Sequence, residues 1–289
     1  MSAEAEGRVA AERFRREQHL GVQPLGDLAA IIEQSTGIDV AVLDAEQDQH
    51  GMMMRDPLRD AVFIGVACTR RPMRQRSTLA HELGHVLFED ATDSAAVTWS
   101  DRSPEEVRAD AFARHLLIPI DGLREFLGER GPLTQAVLSE VVQRFLVSPP
   151  IAAIALCQAG YIDATVKQEW LPLTTPRLAT RFGWSDQYRA LQEESDRRRP
   201  PQRLLARAIS AYSEGVLSVQ AIATLRGITR QEAEAELREA GVVPGERRVA
   251  WADPAELPDA DVDLAALDEA LDMPAHDAET PDVTARENG

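Results

Sequence analysis

Apolar residues recur at helical spacing in two N-terminal stretches, residues 3–19 and "PLGDLAAIIEQ" at 24–34, and Gly37 is placed to end the second. The period then changes. "IDVAVLD" (38–44), "GMMMRD" (51–56) and "AVFIGVAC" (61–68) are short runs bounded by turn residues such as "DPLRD" and "TRRP". They predict three strands of a small sheet. A helix over about 77–90 follows the last strand, and "SPEEVRADAFARHLLIP" predicts another, with Ser103 as N-cap and Pro104 in the first turn.

From Asp121 onward the pattern is helical. "VVQRFLVSPPIAAIALCQAGY" and "AIATLRGITRQEAEAELREAGV" share one outline: helix, short turn with a hydroxyl N-cap, helix, glycine stop. Ser148 and Gly160, like Thr229 and Gly241, stand twelve positions apart, which is the outline of a helix-turn-helix. "ESDRRRPPQR" (194–203) reads as a linker or exposed corner.

Charge changes this picture only at the end of the chain. The formal charge is −17, but between Trp251 and Gly289 twelve Asp and Glu face a single Arg, so most of it sits there. That acidic, proline-containing stretch reads as disordered, although "DVDLAALDEALDM" sets Leu264, Leu267 and Leu271 on one possible helix face. Such a segment could dock on a basic partner or cover a cleft. The remainder is only mildly acidic and excludes no partner by charge. The first residues contain no signal-type apolar segment, and no apolar run approaches the roughly 20 residues that a membrane helix needs. Cys68 and Cys157 form no CxxC pair. The expectation is a reduced, soluble, cytoplasmic protein.

The chemistry concentrates in "LAHELGHVL" (79–87), where His81 and His85 stand four apart with Glu82 beside the first. At about 100° per residue the two imidazoles share a helix face and can reach one ion, while Glu82 is placed to act on a water without being a ligand. This HExxH pattern is the zinc-and-base logic of metallopeptidases. A catalytic zinc needs a third protein ligand. The third histidine of HExxHxxGxxH is excluded, because Phe88 and Ala91 stand at the required glycine and histidine. A glutamate from the next helix remains. Glu106 and Asp110 share a face of "EEVRADAFA", so Glu106 is read as ligand and Asp110 as the carboxylate that orients a histidine, most naturally His81. Two alternatives stand beside this: a capping box, with Glu106 returning to Ser103, and Glu105 as ligand. Gly84 within the helix suggests close approach by another element. His115 falls about 180° round from Glu106, and His19, His50 and His276 bear no spacing relation to the site. Tyr161, Tyr188 and the arginines of "RRPMRQR" are unranked candidates for stabilising an oxyanion.

"RSTLAHELGHVLF" followed by "EEVRADAFARHLLIP" resembles the ImmA/IrrE metallopeptidase family, most specifically in E-x-x-A-D-x-F-A-x-x-L-L-x-P, and more weakly over residues 5–163. The resemblance implies one Zn2+ per chain on His81, His85 and Glu106, with Glu82 as catalytic base. It also implies a protein substrate of helix-turn-helix repressor type, cleaved under stress or mobile-element control. Some members carry a C-terminal α/β sensor, whereas residues 170–248 here read as helical. The expected fold class is α+β: a small zincin-like domain, a short sheet plus the HExxH helix (1–118), followed by all-helical modules of helix-turn-helix outline. Those modules are a segment at 119–169 and a C-terminal module at 170–248, before the acidic tail at 249–289. In such folds the substrate chain lies extended beside an edge strand, for which "AVFIGVAC" is the candidate.

A DNA-binding regulator is the rival reading. "PPIAAIALCQAG" offers no basic residue to phosphates, and "TRQEAEAELREAG" offers Arg230 and Gln231 among four glutamates, so direct nucleic-acid binding is not expected. A third reading is a metal-containing adaptor that binds a repressor without cutting it.

Overall fold

The computed structural model describes residues 1–45, 51–56, 61–90, 103–129 and 131–245. The acidic tail, with Leu264, Leu267 and Leu271, lies outside the described residues, as do His50 and His276. The element order is α1 (Ala3–Glu17), α2 (Leu28–Thr36), β1 (Asp39–Leu43), β2 (Gly51–Asp56), β3 (Ala61–Ala67), α3 (Pro72–Phe88) and α4 (Pro104–Leu117). Helices follow: α5 (Ile120–Leu127), α6 (Gln135–Phe145), α7 (Pro149–Gln158), α8 (Ala164–Trp170), α9 (Thr175–Arg181), α10 (Ser185–Ser195), α11 (Gln202–Ser213), α12 (Val219–Arg226) and α13 (Arg230–Glu239). This is the expected α+β class, a zincin-like domain followed by helices.

The sheet runs β1-β3-β2, with β1 parallel and β2 antiparallel to β3. The expectation that "AVFIGVAC" is an edge strand is corrected: among the described residues β3 is central and β2 lies at an edge, because β1 and β2 pair with the two sides of β3. Val40, Val42, Ile64 and Val66 share one face and are buried, while Leu43, Met52 and Met54 on the other are exposed. The outer side of β1 is bridged by Arg199, which exchanges two backbone hydrogen bonds with Val42 at 2.8 and 3.0 Å. The arginine-rich corner is thus docked. Arg198 pairs with Asp44 at 2.7 Å, Arg199 with Asp27 at 2.6 Å and Arg203 with Asp39 at 3.0 Å.

One hydrophobic core extends from Ala10 on α1 to Tyr188 on α10, and a second, smaller cluster holds α11 to α13. Helices α6 and α7 meet at 105°, as in a helix-turn-helix. Yet Pro149, Ala152, Ala153, Ala155 and Leu156 of α7 are buried, so that helix belongs to the core. In α13, Arg230 is taken by Glu234 at 2.8 Å. Among the described residues no single helix is long and apolar enough to cross a membrane.

Helix α1 is pressed onto α4 at Gly7, where a Cβ would lie 2.3 Å from the Arg108 carbonyl oxygen and 2.7 Å from the Ala111 Cβ. Phe14 of α1 and Phe88 of α3 meet the fully buried Phe112 edge-on, at 6.1 and 6.3 Å between ring centroids. Arg15 closes this corner from within. Its guanidinium donates to the carbonyls of Leu116, Gly21 and Gln23 at 2.8, 2.7 and 3.1 Å, and burial lowers its pKa to about 10. It remains charged at neutral pH.

Gly7→Ala tests this contact. Alanine favours an isolated helix by about 1 kcal/mol, but the clash is with backbone, which cannot rotate away. The expected outcome of chemical denaturation is a net loss of about 1–3 kcal/mol, the range of overpacked contacts. An unchanged or raised midpoint would show that α1 does not lie against α4 in this way.

Candidate metal centre

Helix α3 starts at Pro72, earlier than the pattern predicted, because proline at the first helical position is already set to the helical φ. It carries His81, Glu82 and His85. Helix α4 is started by Ser103, whose hydroxyl accepts from the Glu106 N–H at 3.3 Å, and by Pro104. The two helices approach closely at Gly84. A Cβ there would meet Phe112 Cδ1 at 3.2 Å and Ala109 Cα at 3.3 Å, so the expected close approach is that of α4. This spacing lets Glu106 reach α3.

Three side chains converge through four donor atoms. His81 Nε2 and His85 Nε2 are 3.0 Å apart, and the two Glu106 oxygens lie 3.3 Å from His81 Nε2 and 3.4 Å from His85 Nε2. Donors placed about 2.0 to 2.1 Å from a tetrahedral ion lie about 3.3 Å from one another, so these separations are of the size that one such ion requires. Half of the capping box is formed as well: Ser103 caps the Glu106 N–H, while the Glu106 carboxylate turns to the histidines. Glu105 is fully exposed, and its carboxyl is held below the usual range by a backbone hydrogen bond and by the Ser103 hydroxyl. It is not among the convergent donors.

The opposite edges of both rings are engaged. Asp110 Oδ1 is 3.0 Å from His81 Nδ1, and Asp90 Oδ2 is 2.9 Å from His85 Nδ1. An ionised carboxylate only accepts, so each pair keeps its proton on Nδ1 and leaves the Nε2 lone pair facing the centre. Burial disfavours a charged His81, but Asp110, Glu106 and Glu82 outweigh it and raise its pKa. Asp90 was not foreseen from the sequence. It stands beyond the helix, where a five-residue separation signals nothing, and only the helix ending brings it back. Glu89 adopts the left-handed conformation with φ 54°, the Asp90 N–H returns to the His85 carbonyl at 3.1 Å, and the Glu89 N–H to Val86 at 3.2 Å. That is a Schellman ending built without glycine.

Glu82 lies beside the triangle. Burial pushes its carboxyl above the usual range, partly offset by His81 and His85. The first residue of β2 touches it, since a Cβ on Gly51 would lie 2.7 Å from Glu82 Oε1. The edge strand therefore begins against the candidate base. His115 is elsewhere, buried against Glu4 at 3.3 Å. Two of the candidate oxyanion donors are tied to other partners: the Tyr161 hydroxyl donates to the Gly128 carbonyl at 2.9 Å, and Arg76 donates to the carbonyls of Gly26 and Leu25. The ring of Tyr188 packs edge-on to Trp184.

The donor set predicts one divalent ion per chain. Elemental mass spectrometry should find that ion in the wild type, lost in His85→Ala and at least strongly depleted in Glu106→Ala. Full occupancy in Glu106→Ala would remove that glutamate from the ligand set.

No curated protein matches the chain. Residues 33–156 match the family model of the M78 peptidases, described as the IrrE N-terminal-like domain. That stretch contains both site helices with all three convergent side chains, and over it the chain carries a metallopeptidase domain of the ImmA/IrrE family.

Proposed function

We propose that the chain is a zinc endopeptidase of gluzincin type, with His81, His85 and Glu106 as ligands of one Zn2+ and Glu82 as general base. The observation that carries this reading is the convergence of His81, His85 and Glu106, with donor separations of 3.0, 3.3 and 3.4 Å, and a half-buried glutamate beside them. Bound zinc would lower the pKa of a water toward about 7 and polarise the peptide carbonyl. Glu82, as general base, would accept a proton from the attacking water and return it to the departing amine. Asp110 holds the His81 ring so that its free nitrogen stays turned to the centre.

The substrate is a protein chain that extends along β2, whose first residue adjoins Glu82. Strand addition supplies backbone hydrogen bonds, and the exposed Met52 and Met54 offer apolar ground to alternate side chains. A helix-turn-helix repressor cleaved under stress or mobile-element control, in the cytoplasm, is the substrate class that the family resemblance supports.

Glu82→Gln separates peptidase from adaptor. The expected result is about 10²–10⁴-fold slower cleavage of an unfolded protein substrate, with metal content unchanged. Cleavage at the wild-type rate in the metal-loaded variant would contradict the assigned base. Absence of cleavage in the wild type, with repressor binding intact, would favour the adaptor.

A further inference from the structure

We propose that Asp90 is a positioning residue for His85, held by Arg108 and through it by Glu6, so that α1 is a working part of the metal centre. The proposal rests on reading His81, His85 and Glu106 as metal ligands. Helix α1 lies outside the stretch matched by the peptidase family.

His85 can donate its Nε2 lone pair only if its proton sits on Nδ1 and the ring does not swing. Asp90, at 2.9 Å, secures both. The Asp90 side chain is only 11% exposed, and an anion so placed needs a cation. Arg108 supplies it through an ion pair from Nη2 to Asp90 Oδ1, leaving Oδ2 for the histidine. Arg108 is itself fixed on three sides. It springs from α4 two residues after Glu106, its guanidinium lies over the Phe88 ring at 4.3 Å, and its Nη1 is 3.6 Å from Glu6 Oε2. Glu6 precedes Gly7, the residue at which α1 touches the α4 backbone. The placement of Glu6 is thus set by helix contact. Both histidines are braced by carboxylates, but differently: Asp110 comes from the ligand helix itself, whereas Asp90 depends on an arginine and on a helix from outside.

The test measures zinc dissociation constants by chelator competition on the full chain, together with ¹⁵N shifts of the His85 ring in metal-free protein. Asp90→Ala should weaken zinc binding by roughly 10–100-fold and let the His85 tautomer become mixed. Asp90→Asn, whose amide oxygen still accepts from Nδ1–H, should recover part of the affinity. Arg108→Gln should weaken binding less, Glu6→Gln less again, and Arg108→Gln should add nothing in the Asp90→Ala background, because both act on one contact. A merely structural role would lower stability but leave the tautomer unchanged. Wild-type zinc affinity in Asp90→Ala, with the ring still protonated on Nδ1, would overturn the proposal. Additive losses from Asp90 and Arg108 would overturn the chain of contacts to α1. If the wild type bound no zinc, the ligand reading and this proposal would fall together. Failure of cleavage alone, with these affinity changes present, would leave it standing and refute only the peptidase.

Discussion

The close approach of α3 and α4 is the contact on which the centre depends. Gly84 and Ala109 let the helices come within backbone-to-side-chain contact, and a side chain at Gly84 would have to displace Phe112 or Ala109. At that separation Glu106 spans the gap to two histidines presented by the neighbouring helix, and Asp110, one turn on, reaches the first of them. A wider gap would take Glu106 away from both imidazoles and Asp110 away from His81 Nδ1, so the convergent donors and one of the two ring braces would be lost together. The site and the packing are therefore one arrangement. The buried Phe112, met by Phe14 and Phe88, packs where the two helices approach and so sets the separation at which the three side chains converge.

What the sequence disclosed follows from how local each signal is. His81, Glu82 and His85 were legible because four residues of helix fix their relation without any tertiary information. Glu106 was legible as one of two roles, since Ser103 can cap the same helix, and the structure forms the cap with the backbone N–H while the side chain turns away. Asp90 was not legible, because its relation to His85 is created by a left-handed residue that is not glycine. The central place of β3, expected at an edge, was not legible for a related reason. An apolar run says that a strand is covered on both faces, but pairing on its two edges is decided by distant segments. Similarly, Gly7 signals nothing by itself in a polar helix, and only the position of the Arg108 carbonyl shows why a side chain cannot be accommodated.

Arginine does the work of joining in a chain with one lysine. Its planar fork can take several carbonyls or a carboxylate at once, as Arg15 does inside the core and Arg199 does on Asp27. The corner at 197–203, which looked like an exposed linker, uses this property to dock on β1 and α2, and its backbone also covers the outer side of β1. Among the described residues β2 forms the other side of the sheet and begins beside Glu82, which is why it is the strand proposed to receive an extended chain. The two helix-turn-helix outlines likewise serve packing: α7 is buried in the large core, and α13 spends Arg230 on a neighbouring glutamate.

The central claim is that two imidazoles and one carboxylate hold a single zinc ion. X-ray absorption at the zinc edge on the loaded full-length protein reads that shell directly. The account predicts four nitrogen and oxygen donors at about 2.0 to 2.1 Å, with the multiple-scattering signature of two imidazoles and no sulfur. A sulfur donor at about 2.3 Å, which would implicate Cys68 or Cys157, or a shell with fewer than two imidazoles, would contradict it.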